Sequence, residues 1–297
     1  MPKHNTRKKD GSFLRLLFYI VIAFFSLICL FPFVLMIVSS FMNEKEIIAE
    51  GFKLFPKELS TSAYEFLFRN PKKLMNAYSV TILITLAGTF GGLLIMSMTG
   101  YVLSRNDFKY RNSISFFIYF TTLFSGGLVP SYILMVNYLG LKDNVLAMIL
   151  PGMVSAWSIF LMRNFMKAIP DSLYESAAID GAGDFRIYWQ IFMPLATPSL
   201  ATIGLFLALG YWNEWYNAML YIQSQVKFPL QFFLQKIVTQ ANVQLLVQQG
   251  AVVNTSDLPS ESIKMATAVM AIGPIILLYP FVQKYFVSGL TIGAVKG

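Results

Sequence analysis

The chain has 297 residues, of which 56% are hydrophobic and only 13% charged, and its formal net charge is +8. An ordinary soluble domain is about 25% charged, so this much apolar surface calls for lipid as part of the solvent, and a soluble enzyme is the first class excluded. The bases are scattered between apolar runs, which suits membrane orientation better than a nucleic-acid stripe. A lone Cys29 inside an apolar run and a lone His4 in a basic leader offer no internal disulfide, no metal-ligand spacing and no histidine-based catalysis.

Residues 1–13 read as a basic cytoplasmic leader and 14–297 as one helical membrane unit. A bilayer-crossing helix needs about 20 apolar residues, and six segments qualify. They run Leu14 to Phe41, Ala77 to Leu103, Ile114 to Tyr138, Val145 to Phe165, Leu195 to Ile222, and Met265 to Phe286. The first is too long for a signal peptide, contains Pro32 and is expected to be retained. Arg105, Lys109 and Arg111 pack three bases into seven residues, and the positive-inside rule then sets both termini in the cytoplasm. Two outer stretches are long, Met42 to Asn76 and Gln223 to Lys264. The first holds Phe55-Pro56-Lys57-Glu58 with Ser60 and Thr61, a turn leading into a short helix; in the second, Leu230 to Val243 is patterned as an amphipathic helix.

The most informative segment is the cytoplasmic turn between spans four and five, about 169–194. Ser172 and Glu175 have capping-box spacing, and Pro170 and Asp171 reinforce a helix start there. Ser176, Ala177, Ala178 and Ala182 are small enough for close entry into a groove, Gly181 and Gly183 can end the helix, and Asp184 can cap a second turn that Pro194 stops. On local chemistry alone, a plain connector fits the segment as well as a docking element does.

Glu175-Ser176-Ala177-Ala178-Ile179-Asp180-Gly181-Ala182, followed by Ile191-Phe192-Met193-Pro194, closely resembles the EAA loop of binding-protein-dependent ABC importer permeases. Ser176 stands where alanine is usual, and Met193 where leucine commonly precedes the proline. The resemblance covers nearly the whole chain. It implies the type I importer permease fold, all-α with six spans, and a coupling helix seated in a cleft of the cytoplasmic ATPase through Glu175, Ser176, Ala177, Asp180, Gly181 and Ala182. The ending Phe286 to Gly297 is similar to the tail of maltose-type permeases that reaches between the ATPase subunits, which implies contacts by Gly293, Lys296 and Gly297; a frayed terminus is the plainer reading. Gly126-Gly127-Leu128-Val129-Pro130, Leu139-Gly140-Leu141 and Phe228-Pro229-Leu230-Gln231 are similar to the subgroup importing oligosaccharides and polysaccharide fragments.

By that resemblance the partners are a second homologous permease, two ATPase subunits that bind the ATP and Mg, an extracellular solute-binding protein, an oligosaccharide and the bacterial cytoplasmic membrane. The chain itself holds no G-x-x-x-x-G-K-[ST] motif, so no cofactor and no catalytic residue is expected in it. In span five, Trp212, Asn213, Glu214, Trp215 and Tyr216 combine aromatic faces with amide and carboxylate groups as a sugar path would, with Trp212, Trp215 and Tyr216 sharing a helix face and Asn213 and Asn217 the adjoining one. Interfacial anchoring explains the same aromatics. Trp157 is a lesser candidate, with packing as its default. Gly88, Gly91, Gly92, Gly204 and Gly210 are placed to admit close helix approach. Two other classes compete. An ion-coupled secondary transporter would have only Glu214 as a coupling carboxylate, and a membrane enzyme would have only the isolated His4 and Cys29.

Overall fold

The computed structural model describes residues 10–248 and 261–276. Every regular element among them is helical, and the β-type pairing present is one isolated antiparallel bridge, Met42 with Leu59. Two compact units arise, one from residues 1–69 with 238–273 and one from 70–237 with 274–297.

In the first unit, α1 (Asp10–Ser39) runs through Pro32, and its stretch Arg15–Ser39 is apolar enough to span a bilayer, with none of its most apolar 18 residues buried. The short α2 (Glu44–Glu50) is capped by Asn43, whose side chain accepts the Lys45 amide at 3.1 Å. Lys53 and Lys57 hold the Glu50 carboxyl down to about 2. The helix expected after Ser60 and Thr61 forms as α3 (Ser62–Leu67). Glu44, 4% exposed, accepts the backbone amides of Glu261 (2.8 Å) and Ser262 (3.0 Å) and the Ser262 hydroxyl (2.8 Å). It thereby satisfies free donors at the start of the helix over 261–276. That helix is already formed at Glu261, four residues before the Met265 expected; the rest of the sixth span and the tail with Gly293, Lys296 and Gly297 lie outside the described residues.

The second unit is built on α4 (Pro71–Ser104), a 34-residue helix with Pro71 in its first turn. Helices α8 (Ala156–Lys167) and α12 (Thr197–Trp212) lie along it. Glycines make this approach possible. A Cβ on Gly88 would meet the Tyr211 ring at 2.3 Å, one on Gly91 the Met153 methyl at 2.4 Å, and one on Gly204 the Leu93 side chain at 3.1 Å. Gly210, expected to do the same, has nothing within 4 Å of its would-be Cβ.

Three expected spans are bent pairs instead of continuous helices. Helix α5 (Arg111–Leu123) turns by 114° into α6 (Leu128–Ile133) and the π-helical Leu134–Tyr138, at the Gly126-Gly127 break where Gly127 has φ +83°. Helix α7 (Leu146–Ile149), with its 3-10 extension Leu150–Gly152, meets α8 at 49°, and Ser155 caps the new start. The third pair meets at 81°: α10 (Asp184–Ile187), π-helical Tyr188–Phe192 and α11 (Met193–Leu195), then α12. Pro194 does not stop this helix as expected. The wider π turn just before it absorbs the missing amide donor, and the break falls at Ala196. Span five likewise ends at Trp212, and α13 (Tyr216–Tyr221) follows separately. The described residues therefore supply two continuous spans, or up to five spans when each bent pair counts as one. The helix expected from Leu230 forms as α14 (Leu230–Gln248).

Candidate functional site

The turn after α8 folds as α9 (Asp171–Ile179). It starts at Asp171 with Pro170 in the cap position and no side-chain cap, so the expected Ser172–Glu175 box is not made; the Ser172 carbonyl instead accepts the Ser176 hydroxyl at 2.8 Å. Its end is a Schellman motif. The Ala182 amide donates to the Ala177 carbonyl (2.9 Å) and the Gly181 amide to the Ala178 carbonyl (3.0 Å), with Gly181 at φ +79°. Gly183 then precedes α10, and Asp184 accepts the Tyr174 hydroxyl at 2.9 Å. That bond draws the Tyr174 pKa upward.

The expected docking residues divide between two faces. Ala177 and Ala182, with Tyr174, pack against a core of Met96, Tyr101, Met162, Met166, Tyr188 and Phe192, so they face the protein's own interior. Glu175, Ser176, Asp180 and Gly181 are exposed, and Ile179 stands out with 86% exposure. Phe185 is 65% exposed beside them. Sequence reasoning passed over Ile179 and Phe185, although helical spacing places Glu175, Ser176 and Ile179 on the side opposite Tyr174 and Ala177.

The end of α4 grips this turn. The Arg105 guanidinium lies 3.1 Å from the Tyr174 ring centroid, bonds Asp107 at 3.1 Å and reaches Asp171 at 4.0 Å, with its side chain only 13% exposed. Next to it, the Asn106 amide donates to Asp171 (3.1 Å) and accepts from Arg111 (2.5 Å).

At the opposite end of this unit is a cavity of about 530 Å³, lined among others by Ser125, Ser131, Tyr216, Asn217 and Tyr221. Of the five expected path residues, Tyr216 lines it. The helix break at Asn213 separates Trp212, which is buried, from Trp215, so the three aromatics share no helix face. Asn213 bonds Gln231 and the Leu209 carbonyl. Both Glu214 oxygens are engaged by Asn217, one by its amide N–H (2.7 Å) and one by its side chain (2.8 Å), so the carboxylate closes the start of α13. Trp157 is 60% exposed and makes an edge contact with Phe206. Ser125 and Ser131 went unnoticed because their place depends on the fold-back at Gly127. Below α13, Asp143 accepts the Gln223 and Ser224 amides (3.0 and 2.9 Å), the Ser224 hydroxyl (2.5 Å) and Lys227 (2.9 Å), which hold its carboxyl well below the usual range. Among the described residues, no group of three or more His, Cys, Asp or Glu is placed to hold a metal.

Long apolar helices and bent pairs define the class as a multi-pass helical membrane protein. The comparisons with known proteins make it more particular: the chain belongs to the permease proteins of carbohydrate ABC transport systems. It is 38% identical over 288 residues, covering 95% of this chain and 98% of the relative, to the polygalacturonan/rhamnogalacturonan transport system permease protein YtcP of Bacillus subtilis. It is 30% identical to the arabinooligosaccharides transport system permease protein AraQ of Halalkalibacterium halodurans, over 98% of this chain and 100% of that one. The crystal structure of a bacterial ABC transporter involved in import of the acidic polysaccharide alginate contains a similar chain, with TM-score 0.79, 31% identity, 96% of this chain and 100% of that chain covered. No protein-family model matches. The chain is thus a transport component of an ABC importer and not its ATP-hydrolysing subunit, and it works with an ATPase and a solute-binding protein.

Proposed function

We propose that this chain is a six-span permease subunit that pairs with a second, homologous permease to import oligosaccharides or polysaccharide fragments handed over by an extracellular solute-binding protein. Two cytoplasmic ATPase subunits bind ATP and Mg. Both termini are cytoplasmic, α9 is the coupling helix seated in an ATPase cleft, and the tail with Gly293, Lys296 and Gly297 reaches between the ATPase subunits. The relatives' named substrates, polygalacturonan, rhamnogalacturonan and arabinooligosaccharides, support the substrate class. An α1 that leaves its most apolar 18 residues unburied supports a neighbouring permease.

The observation carrying the coupling reading is the 86% exposure of Ile179 on a helix whose other face is anchored in the core. An isolated apolar side chain needs no explanation. Here it shares a face with Glu175 and Ser176, with Asp180 and Gly181 exposed just beyond it, a mixed patch suited to a protein cleft. The docking set is accordingly Glu175, Ser176, Ile179, Asp180 and Gly181, while Ala177 and Ala182 fix the helix from behind. Sugar passes along the cavity beside Tyr216 and Asn217, whose hydroxyl and amide suit a polyhydroxyl ligand. The ion-coupled alternative loses its carboxylate, because both oxygens of Glu214 are engaged.

The test is Ile179→Asp in the intact importer. It should strip the ATPase subunits during purification and abolish ATP-dependent uptake, while the permease still inserts with wild-type thermal stability. Normal assembly and uptake would reduce α9 to a connector.

A further inference from the structure

The coupling turn is held to the rest of its unit in two physically different ways. Behind α9, Ala177 and Ala182 rest on apolar side chains. Such contacts are non-directional and let a helix rock or slide. On the same inward side, Tyr174 meets the Arg105 group, which borders a cavity of about 320 Å³ lined by Tyr101, Val102, Arg105, Asp107, Phe108 and Asp184. Beside that cavity, α9 reaches the end of α4 through directional polar contacts in addition to its apolar packing on the core that holds Met96, Tyr101 and Leu103.

We propose that Arg105 is a positioning residue for transport. Its guanidinium, laid on the Tyr174 ring and tied to Asp107 with Asp171 alongside, locks α9 to the cytoplasmic end of α4 so that displacement of the coupling turn moves α4. The inference rests on the coupling reading of α9 given above. Arg105 follows α4 directly as its C-terminal cap residue, with the Ser104 side chain buried just before it. A planar cation over a ring resists separation and tilt together. The ring is itself fixed, because the Tyr174 hydroxyl is held by Asp184 on the next helix. Asn106 to Asp171 makes a second, weaker tie across the same gap. One push on α9 is therefore delivered to α4 and, through the Tyr174–Asp184 bond, to the α10 segment leading into α12.

The whole importer in proteoliposomes, with ATP hydrolysis and sugar uptake measured on one sample, tests this. Arg105→Gln and Tyr174→Leu should keep the ATPase subunits bound and hydrolysis within about twofold, while sugar imported per ATP falls about tenfold. The double variant should be no worse than the worse single, since both remove one contact. Arg105→Lys keeps the charge without the planar face and should fall between; Tyr174→Phe keeps the ring but loses the hydroxyl bond to Asp184, and should fall between Tyr174→Leu and wild type. Unchanged sugar per ATP in Arg105→Gln and Tyr174→Leu, or losses that multiply in the double variant, would overturn the proposal. Dissociation of the ATPase from Arg105→Gln would also overturn it, by making Arg105 part of the docking surface. A normal result for Ile179→Asp overturns the docking reading itself, so the two failures are distinct.

Discussion

Gly88→Ala is the sharpest available perturbation of the span packing. The added Cβ would stand 2.3 Å from two carbons of the Tyr211 ring, whereas carbon pairs rest at about 3.5–4.0 Å. The ring must retreat by more than an ångström. It is buried, and its hydroxyl donates to the Ile149 carbonyl at 2.7 Å, so a retreat of that size breaks the bond. Overpacking of this kind costs about 1–3 kcal/mol, and breaking the buried bond adds about 1–3 kcal/mol. Replacing glycine in a helix returns about 1 kcal/mol. The expected net loss is about 1–5 kcal/mol, read from unfolding in mixed micelles by tryptophan fluorescence. In a Tyr211→Leu background the same substitution should cost close to nothing, because the obstacle is gone. A Gly88→Ala loss below about 0.5 kcal/mol, or an equal loss in both backgrounds, would refute the reasoning.

Two further outcomes follow from particular backbones. Gly181→Ala adds a Cβ with no atom within 4 Å, so its cost is that of φ +79°. About 1–2 kcal/mol is expected, with Gly181→Asn milder, read as ATPase retention on heating; equal behaviour of the two would count against the Schellman end. Asp143→Asn keeps a side chain that tolerates φ +54° while removing the charge. The bonds from Ser224, Lys227 and Gln223 hold the Asp143 carboxyl below its ordinary 3.8, so their stabilisation is complete above that pH and is lost as the pH falls through the folded value. The stability gap between wild type and Asp143→Asn should be flat at neutral pH and close below about pH 4; a gap that widens in acid would reverse the assignment.

The sequence made some of this legible and hid the rest for identifiable reasons. Hydropathy finds where apolar chain lies, so it placed the apolar stretches well. It is blind to the break at Gly127, because a glycine pair interrupts neither length nor apolarity while its positive φ turns the chain by 114°. The same blindness ran span five through Asn213 to Trp215 and put three aromatics on one face that does not exist. Motif resemblance singled out the 169–194 turn but not which of its residues face the core. Ala177 and Ala182 look fit for docking because they are small, and smallness serves the protein's own core equally well. Gly181 was read correctly as a helix end, since a left-handed residue is a local need that glycine meets without tertiary help.

The base-rich turn Arg105 to Arg111 shows how one stretch of sequence carries two kinds of information. As charge density it carries an expectation about orientation in the membrane that needs no structure. As geometry it puts Arg105 on Tyr174, Asn106 on Asp171 and Arg111 on Asn106, residues 65 or more positions apart in the first two pairs. Those pairings join the ends of α4 and α9, and no local pattern announces them. Orientation alone would be served by a base anywhere in the turn, so moving the charge from Arg105 to Asn106 should preserve insertion and still uncouple transport. Placement on the ring, and not charge on the cytoplasmic side, is what ties the coupling turn to the span.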